Sequence, residues 1–295
     1  MASVALVVPC FNEEARLPVA SYLSHLASST DRILFVDDGS TDQTVQLLRH
    51  IAQQAPHGRV SVLTLGANHG KAEAVRRGMR QALEAAECEL VGFWDCDLAT
   101  PLSAVAQLAA ELRDRPAIQM VFGARVALLG RSIRRSAKRH YLGRVFATLA
   151  SLVLEMPIYD TQCGAKLFRA TPTLSHVLAS PFLTRWVFDI EIIARFAALS
   201  GEMESVQDSI VEFPLHTWQD VAGSKVKPTD ILRMAYGLMR IRLVYFLRSW
   251  PSGEPIEEKM NSALAMVAAL VLLLAFGLCV LGFLVHLLSS SCHPH

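Results

Sequence analysis

Short apolar runs and amphipathic stretches alternate along the first part of the chain. Apolar runs bounded by polar turns predict buried strands. They cover residues 4–8, 33–36, 60–65, 90–94 and 120–123. Stretches with apolar positions at helical spacing lie between them, at residues 17–26, 42–54, 71–86 and 103–112. This alternation predicts an α/β domain that has a largely parallel sheet with helices on both faces.

The second part of the chain is less regular. Amphipathic helices are expected at residues 134–154, 186–198 and 230–250. A polar loop leads into a short strand over residues 158–168, and a late strand covers residues 209–213. We therefore expect one globular domain over residues 1–228, followed by an amphipathic helix at a membrane surface over residues 229–250.

The most hydrophobic segment, residues 262–288, contains no Asp, Glu, Lys or Arg. A helix that spans a bilayer needs about 20 such residues, so this segment predicts one transmembrane helix. A linker at 251–261 would precede it, and a short tail at 289–295 would follow. Four Lys and Arg residues come shortly before the span, and no Lys or Arg comes after it; the four are Arg240, Arg242, Arg248 and Lys259. By the positive-inside rule, the domain would be cytoplasmic and the tail lumenal or periplasmic.

Composition narrows the classes of function only slightly. The net charge of +1 gives no argument for nucleic-acid binding. The first nine residues lack the basic region and the long apolar run of a signal peptide. None of the six cysteines lies in a CxxC pair, which favours reduced, buried thiols over a zinc site, and Cys163 is interpreted as structural.

One stretch of the chain is strongly basic. Its positive residues are Arg125, Arg131, Arg134, Arg135, Lys138, Arg139 and Arg144. A solvated helix face is the ordinary interpretation of such a run. Here the run continues into an apolar, helix-like stretch, and this combination also fits a surface that meets anionic lipid headgroups.

Polar loops follow four of the predicted strands. They read PCFNEE (9–14), DDGSTD (37–42), NHGK (68–71) and DCD (95–97). The carboxyl ends of parallel strands meet at one edge of a sheet, so a single nucleotide could contact all four loops. Carboxylates would accept from base and ribose donors, glycines allow close approach, and Lys71 could meet a phosphate oxygen. Asp95 and Asp97 need a counter-charge, which a Mg²⁺ or Mn²⁺ ion bridging a diphosphate would supply.

These loops resemble the motifs of family 2 inverting glycosyltransferases with the GT-A fold. The matching segments are VVPCFNEEARLP, FVDDGSTDQT, NHGKAEAVRRGM and FWDCDLATP. The later segments GAR (123–125), YDTQCGAKLF (159–168), RWVFDIE (185–191) and GSK (223–225) resemble the dolichyl-phosphate β-glucosyltransferase branch. The resemblance covers residues 3–250. It implies transfer of a hexose, most readily glucose from UDP-glucose, to dolichyl or undecaprenyl phosphate in the endoplasmic reticulum membrane or a bacterial inner membrane.

The resemblance also implies roles for individual residues. The nucleotide would contact Pro9, Phe11, Glu13, Asp37, Asp38, Lys71 and Asp95. The metal ion would bind Asp95 and Asp97, and the catalytic residues would be Asp97, Asp160 and Arg125. The acceptor phosphate would meet Arg125, Arg135 and Arg139. The sugar or the acceptor loop would lie near Gln162, Trp186, Asp189 and Glu191.

Several alternatives stay open. Asp37 could serve only the approach to a helix, and Lys71 could be an ordinary residue of a helix N-terminus. Asp189 and Glu191 could form a core-facing polar pair, and Trp186 is typical of a core residue. The alternative functions are a mannosyltransferase that uses GDP-mannose, a processive synthase, and a catalytically silent protein that binds a nucleotide sugar. A homo-oligomer is also possible. Mannosyl enzymes often have Gln where Ala99 stands, and processive synthases have Gln where Phe182 stands, so neither alternative is favoured.

Overall fold

The computed structural model describes residues 4–85, 88–201, 203–221 and 228–247. Its strands are β1 (Val4–Cys10), β2 (Arg32–Asp37), β3 (Val60–Thr64), β4 (Leu90–Trp94), β5 (Met120–Ala124), β6 (Ser132–Arg134), β7 (Ala165–Arg169), β8 (Ile210–Pro214) and β9 (Thr217–Gln219). Seven of them form one sheet in the order β3-β2-β1-β4-β7-β5-β8, and β6 pairs with β9 in a second, small sheet. Every neighbouring pair in the large sheet is parallel except those made by β7.

Helices cover both faces of the large sheet. They are α1 (Val19–Ser28), α2 (Thr44–Gln54), α3 (Lys71–Glu84), α4 (Ala104–Asp114), α5 (Ala137–Leu154), α6 (Pro172–Val177), α7 (Phe188–Ser200), α8 (Met203–Gln207) and α9 (Pro228–Ile241). A π-helical segment, Arg242–Leu247, continues α9. One hydrophobic cluster lies on each side of the sheet, which is why all five residues of β4 are buried.

The first half of the chain confirms the predicted order of strands and helices to within a few residues. The second half differs in several places. Strand β7 runs antiparallel between β4 and β5. The helix expected from residue 134 begins at Ala137, because residues 132–134 form β6, and α6 was not predicted. The short elements α8 and β9 were also not predicted. A short strand carries no local signal of its direction, because the direction depends on the length and path of the connection before it.

Helix α9 is amphipathic, as predicted, and its apolar side packs on α5 and α7. Ala235, Leu238 and Ile241 are buried, whereas Leu232 and Tyr236 are exposed. Among the residues that the structure describes, no helix has both the length and the apolar character to cross a membrane. The predicted linker, span and tail, at 251–261, 262–288 and 289–295, lie outside the described residues.

Candidate functional site

The loops after β1 and β2 are joined by hydrogen bonds. The backbone N–H of Asn12 donates to Ser40 Oγ at 3.0 Å, and Thr41 N–H donates to Asn12 Oδ1 at 2.8 Å. The Glu13 N–H donates to Thr44 Oγ1, at the start of α2, at 2.8 Å. Asn12 has a positive φ of 51°, a backbone conformation that Asn tolerates better than most residues. The predicted meeting of these two loops is confirmed.

Asp38 joins the second loop to the third. Its two carboxylate oxygens accept the backbone N–H groups of His69 and Gly70, both at 2.8 Å, and the residue is buried. Asp37 is also buried and accepts from Ser40 N–H at 3.2 Å. The contact of Asp37 favours a role in shaping the turn before α2. Both aspartates therefore support the loops, and a direct contact of either with a nucleotide stays a prediction.

A glycine permits the close approach of these loops. Gly39 has a φ of +76°, and a Cβ added there would lie 2.6 Å from the backbone carbonyl carbon of Ala67. Backbone of one loop thus lies directly on backbone of the next, so any larger residue would push them apart. The DDGS segment needs its glycine at this position for that reason.

Asp95 and Asp97 follow β4 at the same edge of the sheet. Burial raises the pKa of Asp97, and the negative charge of Asp95 raises it further. Lys71, the first residue of α3, places Nζ 2.5 Å from Asp95 Oδ1, and Arg16 Nη1 lies 3.6 Å from Asp97 Oδ2. Partial burial lowers the pKa of Lys71, but the charges of the nearby aspartates outweigh it and the pKa is raised. The acidic pair therefore attracts positive charge.

The chemistry of this pair fits a divalent cation. Two carboxylates offer the hard oxygen donors that Mg²⁺ and Mn²⁺ prefer. Within the described ranges, no cluster of three or more His, Cys, Asp or Glu side chains could hold a metal ion. Asp95 and Asp97 are thus the residues of this site that could contribute carboxylate ligands to such an ion.

Gly164 supports Asp95 and was missed by the sequence analysis. Its carbonyl oxygen accepts the Asp95 N–H at 2.8 Å, and a Cβ added to Gly164 would overlap the Asp95 carboxylate. The antiparallel pairing of β7 with β4 brings Gly164 to this position. Because that pairing has no local sequence signal, the role of this glycine could not be predicted.

Glu13 presents an unusual carboxylate in the first loop. It is buried, and one of its oxygens pairs with Arg16. Its second oxygen, Oε2, is buried and has no hydrogen-bond partner among the described residues. A buried acceptor without a donor is unfavourable. Glu13 is therefore suited to accept a hydrogen bond from a ligand in this loop.

Arg125 and Asp160 form a buried, bidentate ion pair. Nε and Nη2 of Arg125 donate to the two Asp160 oxygens, both at 2.7 Å, and the Arg125 backbone N–H donates to Oδ2 at 3.0 Å. Burial alone would raise the pKa of Asp160, but the charge and hydrogen bonds of Arg125 lower it below its ordinary value. The guanidinium also lies 5.3 Å from the Trp218 ring centre. Arg125 is thus held in one orientation, with Nη1 outside the pair.

Glu212 of β8 holds the loop that carries Asp160. Its carboxylate accepts the backbone N–H groups of Tyr159 and Asp160, at 2.8 and 2.6 Å. Asp160 Oδ1 in turn accepts the Gln162 N–H at 3.2 Å. The sequence analysis missed Glu212 because its strand is distant along the chain and becomes a neighbour only through the sheet order.

The other two arginines predicted for the acceptor phosphate lie on or next to α5. A Cβ added to Gly143 would lie 3.1 Å from Arg135 Cζ, so the Arg135 guanidinium lies against this helix. The side chain of Arg139 is outside the described part of the chain. A shared phosphate site for Arg125, Arg135 and Arg139 stays a prediction.

Asp189 and Glu191 have separate environments. They are two positions apart on α7, so their side chains point about 200° apart around the helix. Asp189 pairs with Lys166, whose Nζ lies 2.7 Å from Asp189 Oδ1 and 2.5 Å from the Cys163 carbonyl oxygen. Lys166 is fully buried. Gln162 Nε2 lies 3.5 Å from Asp189 Oδ2, which places Asp189 beside the loop that precedes β7.

Glu191 is buried among groups of the core. Its carboxylate accepts the Leu183 N–H at 2.8 Å, pairs with Arg195 at 2.7 Å and accepts the Tyr245 hydroxyl at 3.0 Å. Burial raises its pKa, although these partners lower it in part. Its contacts favour the core-facing interpretation, and a role for Glu191 at the sugar stays without structural support.

The burial of Trp186 and Cys163 tests how the sequence analysis interpreted these two residues. Trp186, just before α7, is 38% exposed, so its interpretation as a core residue is wrong. Cys163 is fully buried, and burial raises the pKa of its thiol to about 11. A thiol with this pKa is protonated at neutral pH and is a poor nucleophile, which agrees with its structural interpretation.

Comparison with known proteins gives consistent matches. The model of the family described as Glycosyl transferase family 2 matches residues 5–174. Human dolichyl-phosphate beta-glucosyltransferase is 33% identical over 275 residues, which are 88% of this chain and 80% of the human protein. The Saccharomyces cerevisiae protein of the same name is 30% identical over 262 residues, 83% of this chain and 75% of its own length.

Solved structures show the same fold. Glucosyl-3-phosphoglycerate synthase from Mycobacterium tuberculosis, crystallised with Mn²⁺, UDP and glucosyl-3-phosphoglycerate, superimposes with a TM-score of 0.59 at 21% identity. The match covers 85% of this chain and 82% of that protein. The complex with Mn²⁺, UDP-glucose and phosphoglyceric acid also gives a TM-score of 0.59, at 20% identity. The α/β fold with its mostly parallel sheet is therefore GT-A-like, as predicted.

Proposed function

Because the chain belongs to glycosyltransferase family 2, we propose that it transfers glucose from UDP-glucose to a polyprenyl phosphate, giving polyprenyl β-glucosyl phosphate. The observation that carries this proposal is the match, over most of the chain, to relatives named dolichyl-phosphate beta-glucosyltransferase. The site geometry supports it. An acidic pair, a lysine at a helix N-terminus and an oriented arginine follow strands of the same sheet.

The donor would bind over the loops after β1, β2 and β4. Glu13 Oε2 would accept from a ribose hydroxyl or from the base, which satisfies its unpaired oxygen. When the donor binds, Lys71 would leave Asp95 and pair with a phosphate oxygen. Lys71 is the first residue of α3, where the backbone N–H groups of the helix N-terminus also favour an anion. Asp38 would hold the loop that begins α3 in place for this contact.

Asp95 and Asp97 would hold a Mg²⁺ or Mn²⁺ ion with the diphosphate. Solved relatives of the fold were crystallised with Mn²⁺ and UDP-glucose, which supports an ion of this class. When bound, the ion would offset the charge of the diphosphate and stabilise UDP as the leaving group. Gly164 would keep the Asp95 carboxylate in position for that role.

The acceptor is a phosphate and needs no strong general base. The second pKa of a phosphate monoester is about 6, so the attacking oxygen is already anionic near neutral pH. The protein must instead hold this anion near a second one, the donor diphosphate. Arg125, oriented by Asp160, would provide a fixed positive group for the acceptor phosphate. Attack from the face opposite UDP then inverts the anomeric carbon of an α-linked donor.

Asp189 would help to orient the sugar. Its pairing with buried Lys166 fixes the carboxylate, and Gln162 lies beside it in the acceptor loop. A carboxylate in such a position can accept hydrogen bonds from sugar hydroxyls.

We further propose that the enzyme is attached to its membrane by residues 262–288, with the domain on the cytoplasmic side.

The test is an assay of the full chain with a short polyprenyl phosphate and radiolabelled donors. We expect UDP-glucose to be used, in preference to UDP-N-acetylglucosamine, UDP-galactose and GDP-mannose. The Asp97→Asn protein, shown to be folded by circular dichroism, is the control for background transfer. Turnover of GDP-mannose alone would replace the glucosyl assignment, and no turnover with any donor would overturn the proposal.

A further inference from the structure

Two leucines project into solvent from the turn between β5 and β6. Leu128 is 48% exposed and Leu129 is fully exposed, and the flanking residues 127 and 130 are also exposed. We call residues 126–131 the leucine turn. An isolated exposed leucine is ordinary, but two adjacent leucines at the tip of a projecting turn form a local apolar surface.

The leucine turn has a defined backbone. Leu128 N–H donates to the Val126 carbonyl at 3.0 Å, and Arg131 N–H donates to the Leu128 carbonyl at 3.1 Å. Gly130, with a φ of +81°, completes the turn. Both ends are held by sheet structure, because β5 pairs with β8 before the turn and β6 pairs with β9 after it. The exposure of the leucines is thus a property of an ordered segment.

Along the sequence, the residues around the turn carry only positive charges. Seven Lys and Arg residues lie between positions 125 and 144, and no Asp or Glu lies between Arg115 and Glu155. Arg134 is exposed, and Arg131 is partly exposed. Arg131 and Arg134 thus place positive charge beside the exposed leucines. Two acidic residues also lie near: Asp160, which pairs with Arg125, and Asp220, whose N–H donates to the Arg134 carbonyl. An anionic lipid surface offers the matching arrangement, with headgroups that attract the basic residues and acyl chains that receive the leucines.

We propose that the leucine turn inserts into an anionic lipid bilayer and sets the mouth of the active site at the depth of the lipid headgroups. Arg125 is three residues before Leu128 and is held against Asp160. Insertion of the leucines would therefore bring Arg125 close to the level where the phosphate of a membrane-embedded acceptor lies. This inference rests on the proposed function for its acceptor but not for the contact with lipid.

The contact can be measured without activity. The full chain is reconstituted in vesicles of phosphatidylcholine and phosphatidylglycerol, with and without bromine on the acyl chains, which quenches nearby tryptophan. Leu129→Trp adds a reporter at the tip of the turn. Leu199→Trp, at an exposed leucine near the end of α7, is the matched control. We expect brominated lipid to quench the added fluorescence of Leu129→Trp and to leave that of Leu199→Trp unchanged.

Each other outcome would overturn the proposal. Quenching of the Leu129→Trp reporter by aqueous iodide would show that the turn stays in water. Protection from both quenchers would show that protein covers the turn, from residues 248–295 or from a second copy of the chain. Equal quenching of both reporters by brominated lipid would show that the effect is not specific to the turn.

A rate measurement separates this inference from the proposed function. With a long-chain polyprenyl phosphate in vesicles, we expect the double substitution Leu128→Ser and Leu129→Ser to lower the rate at least tenfold. With a short, water-soluble polyprenyl phosphate, we expect a change of less than twofold, because lipid docking is not needed. Equal losses on both acceptors would place the leucines in a structural role. If the unsubstituted chain uses neither acceptor, the proposed function fails, while the quenching result still decides the lipid contact.

Discussion

The ion pair of Arg125 and Asp160 leads to the most demanding prediction. Asp160→Asn keeps the size of the side chain but removes its charge, so Arg125 loses its counter-ion while its side chain remains only 12% exposed. Removing one partner of a buried pair costs about 3–5 kcal/mol. The Trp218 ring offsets a small part of this, so we expect about 3 kcal/mol of lost stability. Asp208→Asn, at an exposed aspartate, should cost less than about 0.5 kcal/mol.

The effect should depend on pH in a defined direction. The pKa of Asp160 is lowered in the folded protein, so its stabilising contribution is complete above the unfolded pKa of about 4. The contribution is lost as the pH falls through the lower, folded pKa. The difference in stability between the unsubstituted protein and Asp160→Asn should therefore be constant from pH 8 to about pH 5 and shrink below that.

Thermal unfolding of the full chain in detergent, followed by intrinsic fluorescence across that pH range, measures this difference. The double substitution Arg125→Gln and Asp160→Asn replaces the ion pair by two neutral amides. It should recover at least about 1.5 kcal/mol relative to Asp160→Asn alone, because no charge is left unpaired. Acceptor turnover should not recover with it. The reasoning would be refuted if Asp160→Asn and Asp208→Asn unfolded alike at every pH.

Three further changes give separate predictions. Asp97→Asn should abolish transfer without lowering the unfolding temperature, because an amide is a poor ligand for Mg²⁺ or Mn²⁺; EDTA should have the same effect, and full activity in EDTA would contradict the metal assignment. Gly164→Ala should reduce turnover at least about tenfold by displacing the Asp95 carboxylate, and unchanged metal titration and kcat would show that this contact is unimportant. Hydrogen bonds from Arg76 lower the pKa of Glu73 to about 2, so Glu73 should stabilise the protein by about 1–2 kcal/mol above pH 5 and lose that contribution towards pH 2. Unfolding curves of Glu73→Gln should lack this acid-side loss, and an unaltered acid profile would argue against it.

The local pattern of apolar and polar residues was sufficient to predict the strands in the parallel half of the sheet. Strand β4 is a continuous apolar run because both of its faces are buried, and its neighbours β1 and β2 follow the same rule. The carboxyl ends of such strands share one edge of the sheet. The meeting of the loops at 9–14, 37–42, 68–71 and 95–97 could therefore be predicted without a structure.

The rest of the site depends on contacts between distant parts of the chain. The strands at 158–168 and 209–213 were predicted, but nothing near Gly164 or Glu212 indicates the antiparallel direction of β7 or the place of β8 in the sheet. Direction and place bring these two residues beside the loops of the candidate site. Lys166 reads as a strand lysine, which would usually be exposed, and its burial follows from Asp189 on a helix formed later in the chain. The separation of Asp189 from Glu191 needed the helix to be placed before their directions could be distinguished.

The hydrogen bond between Tyr245 and Glu191 has a consequence for the design of shortened proteins. Tyr245 belongs to the π-helical segment after α9, whereas Glu191 and Arg195 hold the carbonyl and amide groups of the loop before α7. A protein cut before residue 242 would lose the Tyr245 donor and the buried Phe246 together, and water would reach a charged pair from which it is now excluded. Secretion, crystallisation and expression trials that remove the hydrophobic end should therefore keep every residue through 247 and place the cut beyond it.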